Sequence, residues 1–126
     1  MSDSPSERPS ERPAVVLLCS DLMLTSSVSG AAAARGIRFV TATVADAATL
    51  VSEIISDGTR CRLFVDLATP GLDVPALARM IPPDVLQGAV AYGPHVHESR
   101  LEQARTAGFG QVVSRGAFHA RFMEWL

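Results

Sequence analysis

The sequence predicts one α/β domain in which a parallel five-stranded sheet has helices on both faces. Short apolar segments that suit buried strands alternate with longer segments of helical periodicity. The segments between them are long enough only for local connections, which favours parallel strands joined by helices. The chain has 126 residues, of which 48% are hydrophobic, so it is long enough to bury one core.

The N-terminal segment differs in composition from the rest of the chain. Residues 1–13 consist of Met, Ser, Asp, Pro, Glu and Arg and repeat the tetrapeptide Ser-Glu-Arg-Pro. Such a segment cannot bury enough apolar surface to order itself. We therefore expect a disordered tail over residues 1–13 and a single domain over residues 14–126.

Five short runs are the predicted strands. Most are continuously apolar, as is typical of strands covered on both faces. The second begins with alternating apolar and polar residues, which indicates a position at the edge of the sheet. This placement fits the strand order 2-1-3-4-5 of a flavodoxin-like three-layer (βα)5 sandwich. The predicted strands lie at residues 15–18, 37–41, 63–65, 89–92 and 112–114.

Each strand is followed by a predicted helix. Asp21, Asp46 and Asp73 precede helical segments, at the position where a side chain caps free backbone N–H groups. Gly36 and Gly108 follow helical segments and can adopt the left-handed conformation that ends a helix. The predicted helices cover residues 22–35, residues 47–56, a short segment after residue 73, residues 98–107 and residues 118–126.

Charge, cysteine content and hydropathy restrict the classes of function. A net charge of -2 and a pI near 5.8 provide no basic surface for nucleic acid. The two cysteines are not spaced as metal ligands, and neither a nucleophile with a positioned base nor a glycine-rich phosphate loop is evident. No apolar run approaches the about 18 residues that span a bilayer. We expect a cytoplasmic protein that is not an enzyme and binds neither nucleic acid nor membrane.

Candidate site residues follow from the predicted sheet. In parallel sheets of this order, sites form where the strands end at their carboxyl termini. Acidic, sulfur-containing and basic residues stand at these ends, together with one glycine. The candidates are Cys19, Ser20, Asp21, Asp66, Gly93 and Arg115.

The segment around Asp66 resembles the phosphoacceptor loop of response regulator receiver domains in two-component signalling. In that family an apolar strand ends in the acceptor Asp, with Pro four and Asp seven residues later, and here these are Pro70 and Asp73. After Ala-Gly and the last strand, Arg115 stands at the position of the receiver lysine. The resemblance covers residues 14–126 and implies that Asp66 occupies the phosphoacceptor position.

Other positions depart from the receiver pattern. The acidic pair that helps to hold Mg²⁺ in receivers falls on Cys19 and Ser20, so Asp21 is the nearest acid and would hold the metal with Asp66. The switch hydroxyl falls on Gly93, and Arg115 replaces the lysine. The chain therefore resembles a degenerate receiver, or pseudo-receiver, with Mg²⁺ as its cofactor only if phosphorylation persists.

Several readings of single residues stay open. Asp66 is a phosphoacceptor, a polar group at a protein-binding edge, or a strand-end acid paired with Arg115. Asp21 is a helix cap or a metal ligand. His95 and His97, in the loop after the fourth strand, could bind a transition metal or titrate, or be solvated or capping residues at a helix entry.

Three functions compete. The first is a stand-alone receiver-like signalling module of the phosphorelay type that acts by protein interaction without phosphorylation, through a histidine kinase, a downstream effector or self-association. The second is a competent Mg²⁺-dependent phosphoacceptor that uses Asp66 and Asp21. The third is a flavodoxin-like protein that binds a small ligand or anion through Arg115 and the loop of His95 and His97.

Overall fold

A computed structural model describes residues 12–126 of the chain. Most of the predicted tail therefore lies outside the described residues, although the carbonyl of Pro13 accepts a hydrogen bond from the Arg38 N–H group at 3.0 Å. Five parallel strands form one sheet in the order β2-β1-β3-β4-β5, which confirms the predicted topology. The strands are β1 (Ala14–Leu18), β2 (Arg38–Ala42), β3 (Cys61–Asp66), β4 (Val90–Gly93) and β5 (Gln111–Ser114).

The described part of the chain contains six α-helices, one more than predicted, and a closing 3-10 helix. None of the helices in residues 12–126 has the length and apolar character needed to cross a membrane. The α-helices are α1 (Leu22–Ala34), α2 (Ala47–Ile55), α3 (Val74–Met80), α4 (Pro83–Gly88), α5 (Glu98–Ala107) and α6 (Arg115–Arg121), and the 3-10 helix is Phe122–Trp125.

The strand β1 lies at the centre of the core because all five of its residues are buried. Successive side chains of a strand point to opposite faces of the sheet. Val16 and Leu18 pack in the cluster on one face, while Val15 and Leu17 pack on the other, where Leu24 of α1 covers them. The continuous apolar run was therefore a valid signal for a strand covered on both sides.

Aromatic rings fill the face of the sheet that α1 and α6 cover. Phe118 of α6 is fully buried, stacks on Tyr92 at a centroid distance of 4.1 Å and meets the edge of Phe64 at 5.0 Å. Phe122 and Trp125 of the 3-10 helix contact Phe118 in turn. These contacts fix the last helix of the chain against the ends of β3 and β4.

The helix α4 was missed because Pro82-Pro83 was interpreted only as the end of the preceding helix. Proline also suits the first turn of a helix, where its missing N–H group would have no partner anyway. Pro83 begins α4, and Asp84 follows in the first turn. The carbonyl of Leu86 near its end accepts a hydrogen bond from Gly110 at 3.0 Å, which joins α4 to the turn before β5.

Two further predictions about helix ends were wrong. Asp46 does not cap α2 with its side chain, because its Oδ1 accepts from the N–H group of Thr43 at 2.7 Å and closes the turn before the helix. The last helix begins at Arg115 instead of residue 118, because the Ser114 hydroxyl accepts from the Ala117 N–H group and caps it. It then tightens into the 3-10 helix at Phe122.

We expect Gly110→Ala to destabilise the fold. A Cβ at this position would overlap the backbone carbonyl of Gln87 at the end of α4, and backbone cannot move aside as a flexible side chain can. The expected loss in the free energy of unfolding is about 1–3 kcal/mol, measured by urea denaturation. Gly116→Ala is the matched control because a Cβ there meets nothing within 4 Å. Equal stability of the two variants would contradict the close approach of α4.

Candidate functional site

The candidate site lies where β1, β3 and β4 end side by side at the carboxyl edge of the sheet. Asp66 is the last residue of β3, and in the parallel register it faces Tyr92 of β4. Only 4% of Asp66 is exposed. The sheet therefore brings Cys19, Asp21, Asp66 and Gly93 to one edge, as the strand order predicts.

The Asp66 carboxylate is held by two neutral donors. Its Oδ1 accepts from the Ala68 N–H group at 2.9 Å, and its Oδ2 accepts from the Cys19 thiol at 3.6 Å. The Thr69 hydroxyl donates to the backbone carbonyl of Asp66 at 2.7 Å and fixes the turn that follows β3. The side chain of Asp66 is thus oriented from both sides, and within residues 12–126 no cation is hydrogen-bonded to it.

Cys19 stands where the receiver resemblance places an acid. Its sulfur accepts from the Asp21 N–H group at 3.2 Å, so the thiol lies between the backbone of α1 and the carboxylate of Asp66. Burial raises the pKa of the Cys19 thiol, and the negative charge of Asp66 acts in the same direction. The thiol therefore serves as a neutral donor to Asp66.

Asp21 and Arg115 form an ion pair beside this cluster. Oδ1 of Asp21 accepts from the N–H groups of Met23 and Leu24 at 2.9 and 3.3 Å, which makes Asp21 the N-cap of α1, while Oδ2 pairs with Arg115. The hydrogen bond from Leu24 contributes most to lowering the pKa of Asp21, and Arg115 adds to it. The structure therefore pairs Arg115 with Asp21, and the interpretation that it pairs with Asp66 was wrong.

Tyr92 completes the cluster and was not identified as a site residue from the sequence. It is fully buried, and among the described residues its hydroxyl has no hydrogen-bond partner of ordinary geometry. Burial raises the pKa of Tyr92 far above its usual range, and the nearby Cys19 and Asp66 add to this effect. A tyrosine at the end of a central strand, opposite an acid in the register, was the available signal.

Apolar side chains border Gly93, the position to which the receiver resemblance assigns the switch hydroxyl. Gly93 is buried at the end of β4, and a Cβ there would lie 3.4 Å from Cβ of Leu67 and 3.9 Å from Cδ2 of Leu101. Arg100 of α5, which the sequence did not single out, donates to the Leu67 carbonyl at 2.7 Å and holds the loop after β3 in place. The space beside Gly93 is therefore lined by leucine.

Four other predicted residues, Pro70, Asp73, His95 and His97, make no hydrogen bond to the cluster within residues 12–126. Pro70 is an exposed turn residue, and Asp73 caps α3 by accepting from the Ala76 N–H group at 3.0 Å. His95 and His97 are exposed in the loop before α5, and His97 makes no capping hydrogen bond with its side chain. No contact joins either histidine to Asp66 within residues 12–126.

The carboxylates of Asp21 and Asp66, as they are hydrogen-bonded here, do not fit Mg²⁺. Magnesium requires near-octahedral coordination by oxygen and is held by carboxylates together with water. Asp66 offers one carboxylate already oriented by neutral donors, and both oxygens of Asp21 are engaged by α1 and Arg115. Throughout residues 12–126, no group of three or more His, Cys, Asp or Glu side chains could hold a metal ion.

Solved structures that are similar in fold to this chain include receiver domains. No family model and no curated protein sequence matches the chain. The beryllofluoride-activated NtrC4 receiver domain dimer aligns with a TM-score of 0.68 and 18% identity over 89% of this chain and 94% of that one. FixJ-N aligns with a TM-score of 0.67 and 14% identity over 91% and 90%.

A third structure adds a complex. The receiver domain of Ssk1 from Saccharomyces cerevisiae, solved with the histidine phosphotransfer protein Ypd1, aligns with a TM-score of 0.61 and 15% identity over 90% of this chain and 88% of that one. These similarities confirm the resemblance at the level of fold. The chain thus has the flavodoxin-like fold of response regulator receiver domains, while the roles of its site residues depend on its own geometry.

The pH dependence of stability tests the charge on Asp21. Because folding lowers the pKa of Asp21 below 3.8, the ionised carboxyl stabilises the fold above that value, and this contribution is lost as the pH falls through the folded pKa. Asp21→Asn keeps a capping side chain but removes the charge. We expect wild type to exceed the variant in the free energy of unfolding at neutral pH, with the difference shrinking below pH 3.8. A difference independent of pH in urea denaturation would contradict this.

Proposed function

We propose that the chain is a receiver-like module of two-component signalling that acts through protein contacts without phosphorylation of Asp66. The observation that supports this best is the double engagement of Asp21, the acid that follows β1, by the start of α1 and by Arg115. Both groups that a phosphorylation site would need, a metal-binding carboxylate and a free basic residue, are joined to each other instead.

Phosphoryl transfer depends on positioning and on neutralising charge, since the transferred group carries negative charge on its equatorial oxygens. Within residues 12–126 the Asp66 carboxylate accepts hydrogen bonds from the Cys19 thiol and the Ala68 N–H group, neither of which is a cation. The leucine side chains of Leu67 and Leu101 line the space beside Gly93. An incoming phosphoryl group would meet a carboxylate that is 4% exposed and that no free cation of residues 12–126 contacts. This environment favours a constitutive structure over a phosphorylation switch.

Protein partners are the expected means of action. Among structures of the same fold, one is a receiver domain dimer and another is a receiver bound to a phosphotransfer protein. We propose that this module likewise binds a protein, either a signalling partner or a second copy of itself. It performs no chemistry of its own in this proposal and needs no cofactor.

A competent phosphoacceptor is the second candidate, because Asp66 ends a buried strand and the turn with Pro70 and Asp73 follows at receiver spacing. It requires that Asp21 leave Arg115 and turn toward a metal ion. The anion-binding alternative has less support. Arg115 is already paired with Asp21, and His95 and His97 are exposed in the loop before α5.

Intact mass after incubation with Mg²⁺ and an acyl phosphate distinguishes the two candidates. We expect no phosphoryl-sized increase in wild type, because the described part of the chain gives Asp66 neither a metal site nor a free cation beside it. A receiver domain of ordinary sequence serves as the positive control, and Asp66→Asn as the negative one. An increase in wild type that is absent from Asp66→Asn would establish the phosphoacceptor instead.

Restoring the acid pair of receiver domains tests whether its absence explains why the site does not fit Mg²⁺. The double variant Cys19→Asp and Ser20→Asp places carboxylates at the positions that the receiver resemblance assigns to metal binding. We expect Mg²⁺ to raise the Tm of the folded double variant but not that of wild type, since only the variant gathers enough carboxylate oxygens. Adding Asp66→Asn should abolish the rise. A double variant with native circular dichroism and no response to Mg²⁺ would contradict the explanation.

A further inference from the structure

The outer surface of α1 is unlike that of the other helices. The 13 residues of α1 include no charged side chain, whereas every other α-helix in residues 12–126 has at least one. The exposed positions recur every three or four residues, some as adjacent pairs, and so form one continuous stripe along the helix. This stripe, which we term the α1 face, consists of Leu22, Met23, Ser26, Ser27, Gly30, Ala33 and Ala34.

Two large apolar side chains at the start of the α1 face are almost fully exposed. Leu22 is 82% and Met23 is 81% exposed, the two highest values among the large hydrophobic residues described. A surface helix of a globular protein normally has charged or polar residues on its outer face. An uncharged helix with exposed leucine and methionine therefore indicates a surface that another molecule covers.

We propose that the α1 face binds a second copy of this chain, with the two α1 helices antiparallel across a two-fold axis near residue 28. This inference deepens the proposed function by naming the partner and its surface. It rests on exposure and sequence along α1 and not on the chemistry of Asp66. Measurements of molecular size therefore test the dimer, and measurements of phosphorylation test the proposed function, so that either can be disproved without the other.

The shape of the α1 face is self-complementary in this orientation. Large side chains stand at its start and small ones at its end. An antiparallel pairing about residue 28 places Leu22 against Ala34 of the second copy and Met23 against its Ala33. Ser26 then lies against Gly30, and small residues at such a crossing let two helix backbones approach closely. A contact of this kind is isologous, because the same surface is used by both copies.

Charge is also complementary at the two ends of the pairing. Asp21 precedes the α1 face and Arg35 follows it. Asp21 is paired with Arg115, and Arg35 donates to the Met123 carbonyl at 2.7 Å. Each side chain remains partly exposed and accessible to a second charge. The antiparallel arrangement places Asp21 of one copy near Arg35 of the other, twice in the dimer. It also places the negative end of each helix dipole beside the positive end of its neighbour. A parallel arrangement would instead place like charges together.

The expected dimer is weak because the surface is small. A helix of 13 residues is about 20 Å long, and its outer face alone falls short of the about 800 Å² per partner of a standard interface. The adjacent 3-10 helix packs against α1 and exposes 48% of Met123, so it can extend the contact. We therefore expect a dimer that dissociates on dilution.

Sedimentation velocity over a range of concentrations tests the dimer in the full chain. We expect wild type to change from monomer to dimer as the concentration rises, and Gly30→Arg to raise the dissociation constant at least about tenfold by placing a charge at the centre of the contact. The variant should fold, because a Cβ at Gly30 meets nothing within 4 Å. Thr49→Arg, at an exposed position of α2, is the matched control and should leave dimerisation unchanged.

Cross-linking through introduced cysteines tests the orientation. Ser27 lies beside the proposed axis, whereas the two copies of Leu22 would lie about 18 Å apart along it. A short bifunctional thiol reagent should join two copies of Ser27→Cys and leave Leu22→Cys at the level of wild type. A chain that is monomeric at every concentration, a dimer insensitive to Gly30→Arg, or preferential cross-linking of Leu22→Cys would each overturn the proposal. The first result would leave a different protein as the occupant of the α1 face.

Discussion

The ion pair between Asp21 and Arg115 joins the start of α1 to the start of α6 across the carboxyl edge of the sheet. Each partner is fixed by a second constraint. Asp21 caps α1, and Arg115 begins a helix whose Phe118 is locked between the rings of β3 and β4. Because both charges are used in this contact, the Asp66 carboxylate is left with two neutral donors among residues 12–126, the Cys19 thiol and the Ala68 N–H group, and the character of the site follows from that pairing.

The sheet could be predicted from the sequence because a strand that is buried on both faces consists of consecutive apolar residues. A strand such as β1 must be apolar at every position, and the short runs could be assigned without knowledge of their neighbours. The cap at Asp21 was equally local. The helix α4 was missed because proline both ends and begins helices, and the choice between these roles depends on packing against Gly110, more than twenty residues away.

The candidate site was predicted in position but not in its contacts. The strand order alone brings Cys19, Asp21 and Asp66 together. Which side chain pairs with which depends on rotamers and on where each helix starts. Arg115 is the first residue of α6, and it pairs with Asp21. Tyr92 was not predicted as a site residue, because its contacts also depend on the structure. Its residue type suits a buried strand, and only the register with Asp66 reveals a hydroxyl at the site.

Tyr92 is an intrinsic spectroscopic probe of the site around Asp66. The chain has one tyrosine and one tryptophan, and the tyrosine hydroxyl lies unpartnered among the described groups around Asp66. Tyrosine ultraviolet and vibrational signals respond to hydrogen bonding at the hydroxyl. Any spectroscopic change assigned to tyrosine in this chain therefore arises at the carboxyl edge of the sheet, and events there can be followed without attaching a label.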